Sequence, residues 1–109
     1  MSNSVIKESI PTSTSYSAVS TAKSVLTFYI DPCDAAYTAS ATASASASVS
    51  GEGTFDLDVI ISTEATLLAN ELAILFAEQN VADYVYDNIS KNITIIQFQN
   101  TTDSIATPN

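Results

Sequence analysis

The sequence predicts an α+β fold, an antiparallel sheet of about five strands with one helix packed on one face, in the order β-β-β-α-β-β with polar N- and C-terminal arms. Three observations carry this prediction. Tyr37 to Val49 alternates apolar and hydroxyl residues without a break, which is the period of a strand. Phe55, Leu57, Val59 and Ile61 recur at every second position, with Asp56 and Asp58 between the first three. Leu67, Leu68, Leu72, Ile74, Leu75 and Phe76 instead recur at the spacing of a helix that is covered over a broad arc.

The elements follow in order. Residues 1–20 are rich in Ser and Thr and read as a polar arm, with room for a short strand near Tyr16 to Val19. Ser24 to Asp31 reads as a strand, with Leu26, Phe28 and Ile30 on one face and Val25, Thr27 and Tyr29 on the other. Asp31-Pro32-Cys33-Asp34 reads as a turn, since proline ends a ladder and Asp bonds its own backbone. In the next strand Tyr37, Ala39, Ala41, Ala43, Ala45, Ala47 and Val49 share one face, a track of methyls. Thr38, Ser40, Thr42, Ser44, Ser46 and Ser48 share the other, a row of hydroxyls. Extended, this segment spans about 40 Å, well beyond an ordinary strand. Alanine has little intrinsic strand preference, so the alternation carries the assignment.

Gly51-Glu52-Gly53 reads as a tight turn into a strand over Thr54 to Ser62, closing a hairpin. Thr63 to Gln79 reads as the helix. Ser62 or Thr63 can cap it, and Glu64 suits the positive end of its dipole. Glu64, Glu71 and Glu78 recur at sevens and mark a narrow wet stripe. Val81 to Asp87 and Asn92 to Gln99 read as a second hairpin around Asn88-Ile89-Ser90-Lys91. Tyr84 and Tyr86 then share a face of its first strand, and Ile96 and Phe98 a face of its second. Residues 100–109 read as a polar tail. The chain, at 109 residues, has the length of a single domain.

Composition excludes whole classes of function. Twelve acidic residues stand against three basic ones, Lys7, Lys23 and Lys91, for a formal net charge of −9. Direct nucleic-acid binding is not expected, because phosphate recognition needs clustered Lys and Arg. Anionic membranes are disfavoured for the same reason. Neither a transmembrane segment nor a signal peptide is expected from the apolar runs. The lone Cys33 cannot form an intrachain disulfide and reads as a small buried hydrophobe. The triplets beginning at Asn88, Asn92 and Asn100 fit a glycosylation acceptor, but such triplets arise by chance in so Ser- and Thr-rich a chain.

Chemistry is equally constrained. The chain has no histidine, so neither its serines nor Cys33 has the usual base to activate it. Its two glycines lie at Gly51 and Gly53, and no phosphate-binding loop exists. No enzyme activity, cofactor or small-molecule substrate is expected. Glu52, Asp56 and Asp58 form a weak candidate cation site, calcium by its all-oxygen donors, with a solvated strand face as the simpler interpretation. The interface candidates are Thr38, Ser40, Thr42, Ser44, Ser46 and Ser48, with Tyr84 and Tyr86 as aromatic anchors.

These features point to a non-catalytic structural subunit that self-associates through its sheet and arms as a homo-oligomer or larger assembly. The expected setting is a virion, as a coat, decoration or tail component of a phage-like particle. The order of hairpins leading into a helix resembles the coat proteins of small single-stranded RNA phages, although this chain has almost no basic residues and is predicted to end in a hairpin. An exported surface filament or adhesion subunit and a small acidic regulatory domain are the alternatives.

Overall fold

The computed structural model describes residues 12–31, 35–53 and 56–109. Four elements follow one another: β1 (Thr12–Ile30), β2 (Ala36–Gly53), α1 (Leu57–Asn88) and β3 (Ile93–Pro108). The strands form one antiparallel sheet in the order β2-β1-β3. The helix lies along one face of it, giving a rod with principal extents of 81 × 19 × 17 Å.

Alternation sets the faces of the sheet. Along β1 the even-numbered residues Ala18, Ser20, Ala22, Ser24, Leu26 and Phe28 are buried beneath the helix. Ala47, Ala43 and Ala39 of β2 pair with Ala18, Ala22 and Leu26, so the methyl track of β2 lies on the same inner face. From β3, Ala106, Thr102 and Phe98 pair with the same three residues. At Thr27/Phe28 the β3 register shifts, because Ile96 is an extra residue opposite β1. Such a bulge bends the strand and breaks the ladder locally.

The helix is read by a different period. Its buried residues are Ile61, Ala65, Ala69, Ala73, Ala77, Val81 and Val85, one in every four. Four residues turn about 400°, so the buried stripe advances about 40° at each step in the right-handed sense. From Ile61 to Val85 it winds roughly 240° around the helix. The sheet stays against the stripe throughout. Ala65 and Ala69 cluster with Ala18, Ala73 and Ala77 with Ala22, and Val81 and Val85 with Leu26 and Phe28. Helix and sheet therefore coil about each other, with α1 running in the direction of β1.

Alanine against alanine makes the middle of this seam thin, with Ala18 and Ala22 of the sheet against Ala65, Ala69, Ala73 and Ala77 of the helix and the small side chains of Ser20 and Ser24 buried beside them. The seam thickens at the far end, where Leu26, Phe28, Val81 and Val85 pack with Ile30, Ile93 and Phe98. At the near end Gly51 lies close beneath Ile61, and a larger residue there would push the Ile61 methyl aside. A Cβ there would lie 2.6 Å from Cδ1 of Ile61. Asp56 opens the helix in a left-handed conformation (φ 51°, ψ 29°) without a side-chain cap.

The class is α+β, but among the described residues the expected five strands are three and the order is β-β-α-β. Leu57 to Ser62, expected as strand, is helical. Its alternation is real, but Leu57 and Ile61 are also the first members of the four-residue series, and packing that series against the sheet wins. Val81 to Asp87 is helical for the same reason, since Val81 and Val85 end the series. Gly51 to Gly53 continue β2 instead of turning, because β1 runs on to Thr12 and pairs with them. The polar arm and tail are corrected too: 12–20 belongs to β1, and Asn100–Pro108 pairs with Tyr16–Ser24. With that topology the resemblance to the phage coat proteins lapses. Residues 1–11 of the arm, most of the Asp31–Asp34 turn, and Thr54 and Phe55 lie outside the described residues.

Candidate interaction surfaces

Three surfaces remain open on this rod: the outer face of the sheet, its two long edges, and the outward sides of the helix.

The outer face carries the odd residues of β1 and the even residues of β2. Thr38, Ser40, Thr42, Ser44, Ser46 and Ser48 all lie there, exposed, as the sequence predicts. Serine and threonine pair across the strands: the hydroxyls of Ser17 and Ser48 are 2.7 Å apart and those of Thr21 and Ser44 are 3.0 Å apart. Lys23, Val19 and Ile105 project from the same face, the last at 70% exposure. This surface is a hydroxyl lawn with isolated apolar and charged side chains.

The edges differ from each other. Among the described residues β2 and β3 each have β1 as their only strand neighbour. The β3 edge has three features that discourage further pairing: the bulge at Ile96, the charge of Asp103 and the terminal Pro108. The β2 edge from Ala36 to Ser50 has no charge, proline or glycine, and its ladder with β1 is unbroken. A long, uncharged edge is a template for another strand, and Asn80 of the helix reaches it at the Thr42 carbonyl.

The helix presents distinct sides because its burial follows the sheet in fours. The residue after each buried position lies on the β3 side. Ser20 Oγ donates to Asn70 Oδ1 at 2.6 Å, and Asn100 Nδ2 donates to Glu78 Oε2 at 2.8 Å. The residue before each buried position lies on the β2 side, where Asn80 Nδ2 donates to the Thr42 carbonyl at 3.3 Å. That side holds Ile60, Leu68, Leu72, Phe76 and Tyr84, all exposed. Leu67 and Leu75 crown the helix beside them and are exposed as well. By length and composition alone α1 would pass as a membrane span, a weak sign that core helices share.

Tyr84 and Tyr86 do not share a face. Two residues apart on a helix they diverge by about 200°, Tyr84 towards β2 and Tyr86 towards β3. The proposed cation ligands are likewise not one strand face. Glu52 sits near the end of β2, Asp56 precedes the helix, and Asp58 occupies its first turn, where a carboxylate complements the dipole. Among the described residues no group of three or more His, Cys, Asp or Glu side chains is arranged to hold a metal ion. Ser24 Oγ and Asn100 Oδ1, opposed across β1 and β3, are buried without a hydrogen-bond partner.

The sequence predicts that the broad apolar arc from Leu67 to Phe76 is covered, but Leu67, Leu68, Leu72, Leu75 and Phe76 are exposed. The signal was present as the four-residue series: once Leu57 to Val85 is counted in fours, Leu68, Leu72 and Phe76 fall off the buried stripe. No family model, curated protein or solved structure matches this chain.

Proposed function

We propose that this protein is a non-catalytic structural subunit that self-associates into a larger particle, with a virion coat, decoration or tail component as the setting. One observation carries this reading. A rod that is dry along one helix stripe leaves a second row of large apolar residues bare, beside a strand edge that, among the described residues, carries no charge or proline from Ala36 to Ser50 and is touched by Asn80 at the Thr42 carbonyl. Exposed apolar patches of this kind mark interaction sites, and an unprotected edge is a liability for a free monomer. The poverty in reactive side chains supports the absence of chemistry, and the acidic balance supports protein partners over nucleic acid.

Light scattering after size exclusion, followed by negative-stain imaging, tests the proposal. Closed shells, tubes or rings of defined mass support it. Open fibres favour a surface filament instead. A monomer that persists at millimolar concentration refutes both.

A further inference from the structure

We infer that the first step of assembly is a two-fold dimer in which the β2 edges of two copies pair antiparallel into a continuous six-stranded sheet. The inference deepens the assembly reading above and rests on it.

Three observations select this edge and this partner. First, the two edges of the sheet are unequal: β3 is bulged, charged and ends in proline, while Ala36 to Ser50 is uniform in sequence and uncharged, with one long 3.3 Å contact from Asn80 at the Thr42 carbonyl that a pairing strand would replace. Second, β2 is its own complement. Antiparallel pairing about a two-fold keeps alanines beside alanines on the inner face and hydroxyls beside hydroxyls on the outer one. Such an interface is isologous and closes at two copies.

Third, the dimer covers the apolar row. The helix packs chiefly over β1 and β2. Strands lie about 4.8 Å apart, so a helix above the β1–β2 midline stands about 5 Å from the two-fold. The two helices then lie about 10 Å apart, within reach of the roughly 8–10 Å at which helices pack. Their facing sides are those carrying Leu68, Leu72 and Phe76. Among the acidic residues of α1 only Glu64 belongs to that row, so little like charge is brought together. An edge of about 15 residues is about 50 Å long. With the 17 Å depth of the rod, it offers about 850 Å² per copy, against the roughly 800 Å² of a standard stable interface.

Cysteine cross-linking tests this in a Cys33→Ser background. Single cysteines at Ser40, Thr42, Ser44, Ser46 and Ser48 are oxidised in turn, with Thr101→Cys on β3 as the control. About a two-fold, only a residue near the axis meets its own copy. The expected result is one maximum within β2, at least tenfold faster than the control. Rates no higher than the control, or highest on β3, overturn the inference. A second variant, Phe76→Glu, should weaken the dimer at least tenfold by sedimentation equilibrium with an unchanged circular dichroism spectrum. An unweakened dimer overturns the proposed contact. If particles form without any β2 cross-link, this dimer is wrong and the assembly reading survives; a monomer throughout removes both.

Discussion

Replacing Ala73 by leucine should destabilise the fold by about 2–3 kcal/mol, near the upper part of the usual range for overpacking. The magnitude follows from the seam. Ala73 is fully buried, and it packs with Ala22 and Ala77 and with partly buried Ala43, Ala45 and Ile74. Leucine adds three carbons where every facing sheet residue is already at its smallest, so the helix must lift. Lifting also loosens the contacts of Ala69 and Ala77 one step either side. Ala73→Gly should destabilise as well, by roughly 1–2 kcal/mol, from lost helix propensity and one lost methyl. A thin seam thus penalises change in both directions. Urea unfolding followed by circular dichroism measures it, and the leucine variant should also melt on the order of 10 °C lower. Leu75→Ala, on the exposed crown, should stay within about 0.5 kcal/mol of the parent in the monomer. If Ala73→Leu matched that control, the close approach of helix and sheet would be wrong.

Other outcomes follow from single residues. Phe28→Ala should cost about 3–5 kcal/mol in the same assay, since it empties the largest fully buried position of the far-end core. Ser20→Ala should cost about 1–2 kcal/mol by leaving Asn70 Oδ1 without its donor. Ser24→Ala, four residues along the same strand and on the same face, should be neutral or stabilising by up to about 1 kcal/mol because it removes an unpaired buried hydroxyl. Equal losses at both serines would show that the hydrogen bond contributes nothing. At Asp56, whose φ is positive, valine should cost about 1–2 kcal/mol while glycine stays within about 0.5 kcal/mol, measured by thermal unfolding.

The strand at β2 was legible because the seven odd residues from Tyr37 to Val49 leave no alternative period. The helix was legible only in its middle. There Leu67 to Phe76 obeys a helical spacing, whereas the ends carry two periods at once. Val59, Ile60 and Ile61 are β-branched, which favours strand locally, and only the long series from Leu57 to Val85 decides for helix. Among the described residues the arms are strands despite their polarity. Ala18, Ser20 and Ala22 are small because a helix lies close above them, and Thr101 to Thr107 is polar because that strand lies at an edge with one wet face. The hydroxyl residues proposed for contact were placed correctly as exposed. Tyr84 and Tyr86 are exposed too but do not share a face, since a two-residue interval aligns side chains on a strand and separates them on a helix.

The matching of fours on the helix to twos on the strands makes this rod a vernier. Four helical residues rise about 6 Å and two strand residues about 6.6 Å, so ten residues, four from α1 and two from each strand, form one slice. Duplicating or deleting a slice would lengthen or shorten every element nearly in step and leave each remaining slice in its original surroundings. Any other change of length would throw helix and sheet out of phase. Relatives of this protein, natural or designed, are therefore expected to differ in span by whole slices, which makes reach a property that selection can tune without redesigning the interior.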